Sequence, residues 1–216
     1  DLQRTPTHTP EGKRIRKAFI APPGHSLVVA DWSQIELRIL AHVTGDPVLT
    51  EAFRTGADVH RKTASQLFEV PLDQVSPAQR NIGKTINFAT IYGQGPTALA
   101  QMLGLQTKEA RRYIDAYFKL YAGVKRWLDQ TTEEALKNGW VKTLIGRKRY
   151  IPELTSKTTM ERQAGVRIAC NTPIQGSAAD LCKAVMLALP PAFRDHGLNA
   201  KMLMQIHDEL VFEVPD

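Results

Sequence analysis

The chain has 216 residues, long enough for one large domain or two small ones around a buried core. It is 43% hydrophobic and 23% charged, the ordinary globular range, and no apolar run approaches the ~18 residues that a membrane span needs. With a net charge of +6 and two cysteines, the balance leans toward polyanionic partners and excludes a disulfide framework or a zinc site.

Asp1-Leu2-Gln3-Arg4 has no apolar signal region behind it, and Cys170 and Cys182 are expected to be buried thiols in a reducing interior. Residues 1–25, rich in Thr, Pro and basic side chains, read as irregular or edge structure. Leu27-Val28-Val29-Ala30 has a buried-strand pattern and ends at Asp31. Ser33 then caps a helix reaching about His42, followed by short helices from Pro47 to Arg54 and from Asp58 to about Phe68. The best-marked start is Ser76-Pro77-Ala78-Gln79, a capping box with proline at the first helical position. That helix is expected to reach Tyr92 and stop at Gly93.

Thr107 to Ala122 and Val124 to Asn138 read as helices separated by Gly123 and closed by Gly139. Trp140 to Ile145 and Lys148 to Ile151 read as a hairpin about Gly146-Arg147. Helices at 158–170 and 174–189 are separated by Pro173 and ended by Pro190-Pro191. Met202 to Ile206 and Leu210 to Val214 form two strands joined at His207-Asp208. The class is α+β, many helices with a small, mostly antiparallel sheet.

Basic residues cluster at Lys13, Arg14, Arg16 and Lys17, at Arg111 and Arg112, and at Arg147, Lys148 and Arg149. The bland reading is three solvated faces; clustering favours nucleic acid without settling it. Asp31 ends one strand and Asp208 sits between two others. Carboxylates at neighbouring strand ends can hold the paired cations of phosphoryl transfer, although a lone turn aspartate more often only favours its turn. His207-Asp208 is a poor two-residue turn, because such turns want positive φ and therefore Gly or Asn. Backbone strain of that kind collects at functional sites, and Glu209 adds a third acid there.

On the helix from Ser76, Arg80, Lys84, Phe88 and Tyr92 recur every four residues, with Asn87 beside them. Two cations followed by two rings on one stripe suit a nucleoside triphosphate. An amphipathic helix with a charged outer end and a buried inner one is the plainer alternative.

Asp31-Trp32-Ser33-Gln34-Ile35-Glu36-Leu37-Arg38 resembles motif A of the family A DNA polymerases, the DNA polymerase I type. The Arg80, Lys84, Phe88, Tyr92-Gly93 series resembles motif B, and Gln205-Ile206-His207-Asp208-Glu209 resembles motif C. The three occur in the family's order. Flanking similarity at 14–19 and 171–176 extends the resemblance over essentially the whole chain.

The resemblance implies a right-hand polymerase fragment: a small antiparallel palm sheet with a mostly helical fingers subdomain. The palm would take 1–45 and 141–216, and the fingers 46–140. It implies a template-directed DNA-dependent DNA polymerase, extending a primer 3′-hydroxyl with deoxynucleotides and releasing pyrophosphate. Asp31 and Asp208 would bind two magnesium ions, with manganese able to substitute and Glu209 assisting. Arg80, Lys84 and His60 would meet the triphosphate, with Lys84 the candidate proton donor to pyrophosphate, and Gln34 would lie on the nucleotide side. Glu36 would exclude a 2′-hydroxyl, Phe88 would flank the sugar, and Tyr92 would hold the place of the templating base in the open state. Arg167, Asn171, Gln175 and His207 would contact primer–template DNA.

A monomer active in replication or repair is expected, in a bacterial or phage-like cytoplasm, or in an organelle if a transit peptide precedes this stretch. A thumb would precede residue 1 and a closing segment would follow Asp216, so this stretch alone should bind DNA weakly and be poorly active. Departures from the pattern include Trp32 for Tyr, Asn81 for a second Arg, Ala89, and Gln94-Gly95-Pro96. Gly83 is expected to loosen its helix, since mid-helix Gly costs roughly 0.5–1 kcal/mol relative to Ala.

Gly93-x-Gly95-x-x-Ala98 imitates a dinucleotide-binding fingerprint, but the capping box makes 77–92 helical and no βαβ series surrounds it. A binding module that had lost its chemistry would be expected to lack one of Asp31, Asp208 or Lys84. A single-subunit RNA polymerase or a reverse transcriptase is the nearest enzymatic rival, and Glu36 opposes ribonucleotide incorporation.

Overall fold

The computed structural model describes residues 9–216, which form two compact units. One unit comprises the chain up to Ile35 together with Ala179–Asp216, and the other comprises Glu36–Ala178. Residues 1–8, the first part of the stretch expected to be irregular, lie outside the described residues. Among the described residues no helix is long and apolar enough to cross a membrane.

The first unit opens with α1 (Pro10–Arg16) and corrects the expectation of irregular structure there. Thr9 accepts from the Gly12 amide and Pro10 occupies the first turn, the same cap chemistry that marks Ser76-Pro77. Three antiparallel strands follow, β1 (His25–Asp31), β4 (Lys201–Ile206) and β5 (Glu209–Pro215), in the order β1-β5-β4. β5 is central, and Leu210, Val211 and Phe212 are buried on it.

β1 is not the buried strand its apolar run suggests: it lies at the edge, with Val28 45% and Val29 55% exposed. An apolar run of that length does not distinguish a central strand from an edge. β4 carries a bulge at Leu203, between the Met202–Phe212 and Met204–Val211 pairs. The last part of the long helix α9 (Thr159–Asp195) packs Cys182, Val185, Leu189 and Phe193 against Leu210 and Phe212. The Phe193 and Phe212 rings meet edge to face at 5.7 Å.

The second unit is helical. It holds α2 (Ile35–Thr44) from Glu36 on, then α3 (Pro47–Arg54), α4 (Val59–Phe68), α5 (Pro77–Ile91), α6 (Pro96–Leu103), α7 (Thr107–Leu120), α8 (Ala122–Asn138) and the first part of α9. α2 starts at Ile35, just after Gln34, whose φ of 56° delays the helix beyond the Ser33 cap. Asp46 and Asp58 cap α3 and α4, and Ser76 and Gln79 close the capping box of α5. α6 escapes the hydrophobic pattern, although Gly95-Pro96 at its start and left-handed Gly104 at its end are ordinary punctuation.

Gly123 does not separate α7 from α8; the break is at Tyr121. Gly123 instead lies inside α8, where its amide donates to Asp46 Oδ2 at 2.8 Å and a Cβ would sit 2.9 Å from the Asp46 side chain. Gly83 likewise has a packing reason. A Cβ there would lie 2.4 Å from the His60 carbonyl oxygen, so glycine lets α5 approach α4.

The hairpin is shorter than expected. β2 (Trp140–Lys142) pairs with β3 (Lys148–Tyr150) around a loop in which Gly146 takes φ 89°. α9 runs unbroken through Pro173 and Pro190-Pro191, against the expectation of two helices. An interior proline costs ~3 kcal/mol, and burial offsets it here. Ala169, Cys170 and Ile174 are buried around Pro173, and Phe193 anchors the last turn on Phe212. Both cysteines are free and buried.

Candidate active-site residues

In the first unit, the acidic residues converge at one end of the sheet. Asp31 ends β1 directly across from Glu209, and the Trp32 amide donates to the Asp208 carbonyl at 3.2 Å, which ties the motif A segment to the β4–β5 turn. Asp31 and Asp208 are both exposed, and no salt bridge among the described residues engages them or Glu209.

Among the described residues no cluster of three or more His, Cys, Asp or Glu is arranged as a cage for a metal. Two carboxylates on adjoining strand ends are a different donor set, suited to magnesium, which keeps waters and substrate phosphates in its shell. The residues therefore fit hard cations completed by a substrate, and do not fit an all-protein metal site.

Three residues other than glycine take positive φ among those described: Gln34 (56°), Glu69 (54°) and His207 (54°). Glu69 merely ends α4. Gln34 lies three residues past Asp31 and His207 adjoins Asp208, so left-handed backbone of the kind read from His207-Asp208 occurs in both motif segments. The His207 carbonyl accepts from Gln205 Nε2 at 3.0 Å.

In the second unit, the stripe on α5 is real. The Phe88 and Tyr92 rings stack at 6.1 Å, and His60, from α4, lies 5.9 Å from Phe88. Tyr92 Oη donates to Glu36 Oε2 at 2.6 Å, joining residues 56 positions apart. Lys84 is exposed, while Arg80 is half-buried and its Nε pairs with Asp58 Oδ2 at 2.6 Å. Burial raises the Asp58 pKa, but the Arg80 hydrogen bond and the Arg61 amide outweigh it and hold the carboxyl below its ordinary range. Burial also lowers the His60 pKa, helped by the nearby charges of Arg80 and Lys84 against the pull of Asp58.

Arg167, Asn171 and Gln175 lie four residues apart along α9. The methylenes of Arg167 pack beside Gly93, where a Cβ would lie 3.1 Å from Arg167 Cγ. Asn171 Oδ1 is buried without a hydrogen-bond partner.

Sequence reasoning misses two features of this unit. Asp58 is readable as a helix cap, but nothing local announces its pairing with Arg80. A buried polar chain also links His60, Asn87, Thr63 and Tyr121. Only Asn87's place beside the stripe hints at it.

The family model described as DNA polymerase family A matches residues 1–216. The chain belongs to DNA polymerase family A. Its relatives include DNA polymerase I of Pseudomonas aeruginosa, 49% identical over 214 residues, covering 99% of this chain and 23% of that protein. Thermostable DNA polymerase I of Thermus thermophilus is 46% identical over 215 residues, covering 100% of this chain and 26% of that one. The chain thus spans about a quarter of the length of these curated relatives. The solved POL domain of Pol1 from M. smegmatis, in complex with DNA primer-template and dNTP, superposes with a TM-score of 0.95. It is 44% identical and covers 100% of this chain and 38% of that one. The α+β architecture expected of this family, many helices with a small antiparallel sheet, is the one observed.

Proposed function

We propose that this chain is the nucleotide- and metal-binding part of a DNA-directed DNA polymerase, adding deoxynucleotides to a primer 3′-hydroxyl with release of pyrophosphate. The observation that carries the reading is the pairing of motif A with motif C, with Asp31 opposite Glu209 and Trp32 bonded to Asp208, within a chain matched end to end by the family. The relatives' shared name and the DNA and dNTP in the neighbouring structure support primer–template and deoxynucleoside triphosphates as partners. The palm–fingers–palm division at 45/46 and 140/141 is part of this functional reading and is distinct from the two compact units.

Asp31 and Asp208 would hold two magnesium ions, with Glu209 assisting. Bound there, such ions supply activation of the attacking hydroxyl and stabilisation of the leaving oxygen. The chain's own residues do the rest. Lys84 and Arg80 bind phosphate oxygens, with His60 as a further donor, and Lys84 carries a proton available to departing pyrophosphate. Gln34 holds the nucleotide side. Phe88 and Tyr92 present ring faces to sugar and base.

Glu36, tied down by the Tyr92 hydroxyl, fills the space a 2′-hydroxyl would need. Arg167, Asn171, Gln175 and His207 contact primer–template DNA. Donors among them can meet minor-groove acceptors that the base pairs share, testing pair shape without reading sequence.

Primer extension by the intact protein, with deoxy- and ribonucleotides on DNA and RNA templates, separates this reading from an RNA polymerase or a reverse transcriptase. Asp31→Asn and Asp208→Asn should each lower extension by roughly a thousandfold or more, the scale of several kcal/mol of charge stabilisation, with circular dichroism unchanged. Normal turnover in either variant refutes the metal assignment.

A further inference from the structure

Behind the triphosphate-facing stripe of α5, four buried polar side chains form one chain of hydrogen bonds. Asn87 is fully buried at 0% exposure, Thr63 is also at 0%, and His60 is at 3%. Tyr121, fully buried at the α7–α8 junction, lies with its hydroxyl 3.0 Å from Thr63 Oγ1. Thr63 Oγ1 lies 2.8 Å from Asn87 Oδ1, and Asn87 Nδ2 lies 2.8 Å from His60 Nδ1.

With the Asn87 amide oxygen turned to Thr63 and its nitrogen to His60, the chain has a direction. The Asn87 carboxamide oxygen can only accept, and the single Thr63 proton is shared between it and the Val59 carbonyl, 3.0 Å away. The Thr63 oxygen is left to receive the Tyr121 proton. At the other end the Asn87 amide nitrogen can only donate, so His60 Nδ1 is an acceptor and carries no proton. A neutral imidazole in that state bears its proton on Nε2. That ring packs on Phe88, one turn from Lys84 and two from Arg80 on α5.

We infer that Asn87 is a positioning residue: through the Tyr121–Thr63–Asn87 chain it fixes the His60 imidazole as the Nε2–H tautomer, a neutral donor for a nucleotide phosphate oxygen. The inference rests on the proposed role of His60 in triphosphate binding, which it deepens. Packing of α4 against α5 brings the ring close to the stripe. The buried chain decides which of its nitrogens donates, and in a water-poor setting the ring cannot switch tautomers without breaking a bond at Asn87. The chain also joins α4, α5 and the α7–α8 junction, so the ring's orientation follows the packing of three elements rather than one.

The test is nitrogen-15 NMR of the histidine-labelled intact protein at neutral pH, with the His60 signals assigned by their absence in His60→Gln. The wild type should show a protonated Nε2 and an unprotonated Nδ1. Asn87→Leu, which keeps the volume and removes the donor, should give a mixture of tautomers, and Asn87→Asp should place a proton on Nδ1. A wild-type ring protonated on Nδ1 overturns the inference without recourse to any variant, as does a tautomer unmoved by both substitutions.

A second arm measures dATP affinity in the ternary complex. Asn87→Leu should weaken it on the order of threefold to tenfold, the worth of one hydrogen bond, and should have no effect in the His60→Gln background. A loss of the same size in both backgrounds marks a merely structural role and overturns the positioning claim. A tautomer shift with unaltered dATP affinity keeps the relay and contradicts the reading that His60 meets the phosphates.

Discussion

Glu36 illustrates how much one side chain's position depends on a distant partner. It lies at the start of α2, yet its carboxylate is held by Tyr92 at the far end of α5. Glu36→Ala should raise ribonucleotide incorporation by roughly tenfold or more, the scale of one relieved steric clash, because the proposed obstacle is removed. Competitive incorporation of dATP and ATP checks this, and unchanged discrimination contradicts the role.

Asp58 has two duties, receiving the Arg61 amide at the head of α4 and the Arg80 guanidinium. Its folded-state pKa lies below the ordinary 3.8, so the ionised form is favoured by folding. That stability is complete above the unfolded-state pKa and disappears as pH falls through the folded one. Asp58→Asn keeps a good cap and loses the charge. Denaturation midpoints of wild type and variant should therefore differ at neutral pH and converge as the pH falls from 3.8 through the lower folded-state value; a gap constant across that range rules out the ion pair as its source.

At the scale of elements, α5 was the most legible piece of the chain and also concealed a feature. Its start was readable because a capping box is chemistry among neighbours in sequence, and the same holds for the caps at Asp46 and Asp58. Its mid-helix glycine was not, because the reason lies on α4. Gly83→Ala improves helix propensity by up to about 1 kcal/mol but drives a Cβ into the His60 carbonyl, so the net effect should be a loss of about 1–3 kcal/mol. Urea denaturation of both proteins measures it, and a stabilised variant refutes the close-contact account.

The misread elements share this logic. Pro173 is a breaker by local rule, and burial of Ala169, Cys170 and Ile174 carries α9 through it. Val28 and Val29 read as core because an apolar run does not reveal whether its strand is central or at the edge. The candidate site divides likewise. Asp31, Asp208 and the α5 stripe announce themselves through motif spacing, whereas the Arg80–Asp58 pair and the buried chain behind Asn87 arise only when separate helices meet.

Across the whole molecule, three basic clusters, at 13–17, 111–112 and 147–149, remain in solvent except where single side chains lean on neighbours, as Arg149 does on Thr172 and Lys148 on Trp140. Exposed cations of this kind suit a polyanionic partner, while the proposed chemistry rests on two aspartates that the sheet and its β4–β5 turn bring to one end. Antiparallel pairing of β1 with β5 brings together residues 31 and 209, far apart in the chain, and this sheet gives the aspartates their claim to shared cations. Anomalous diffraction from crystals of the intact protein with primer–template, dNTP and manganese tests that claim most directly. The account predicts peaks at about 2.0–2.2 Å from carboxylate oxygens of both Asp31 and Asp208. Bound manganese that touches neither carboxylate would contradict it.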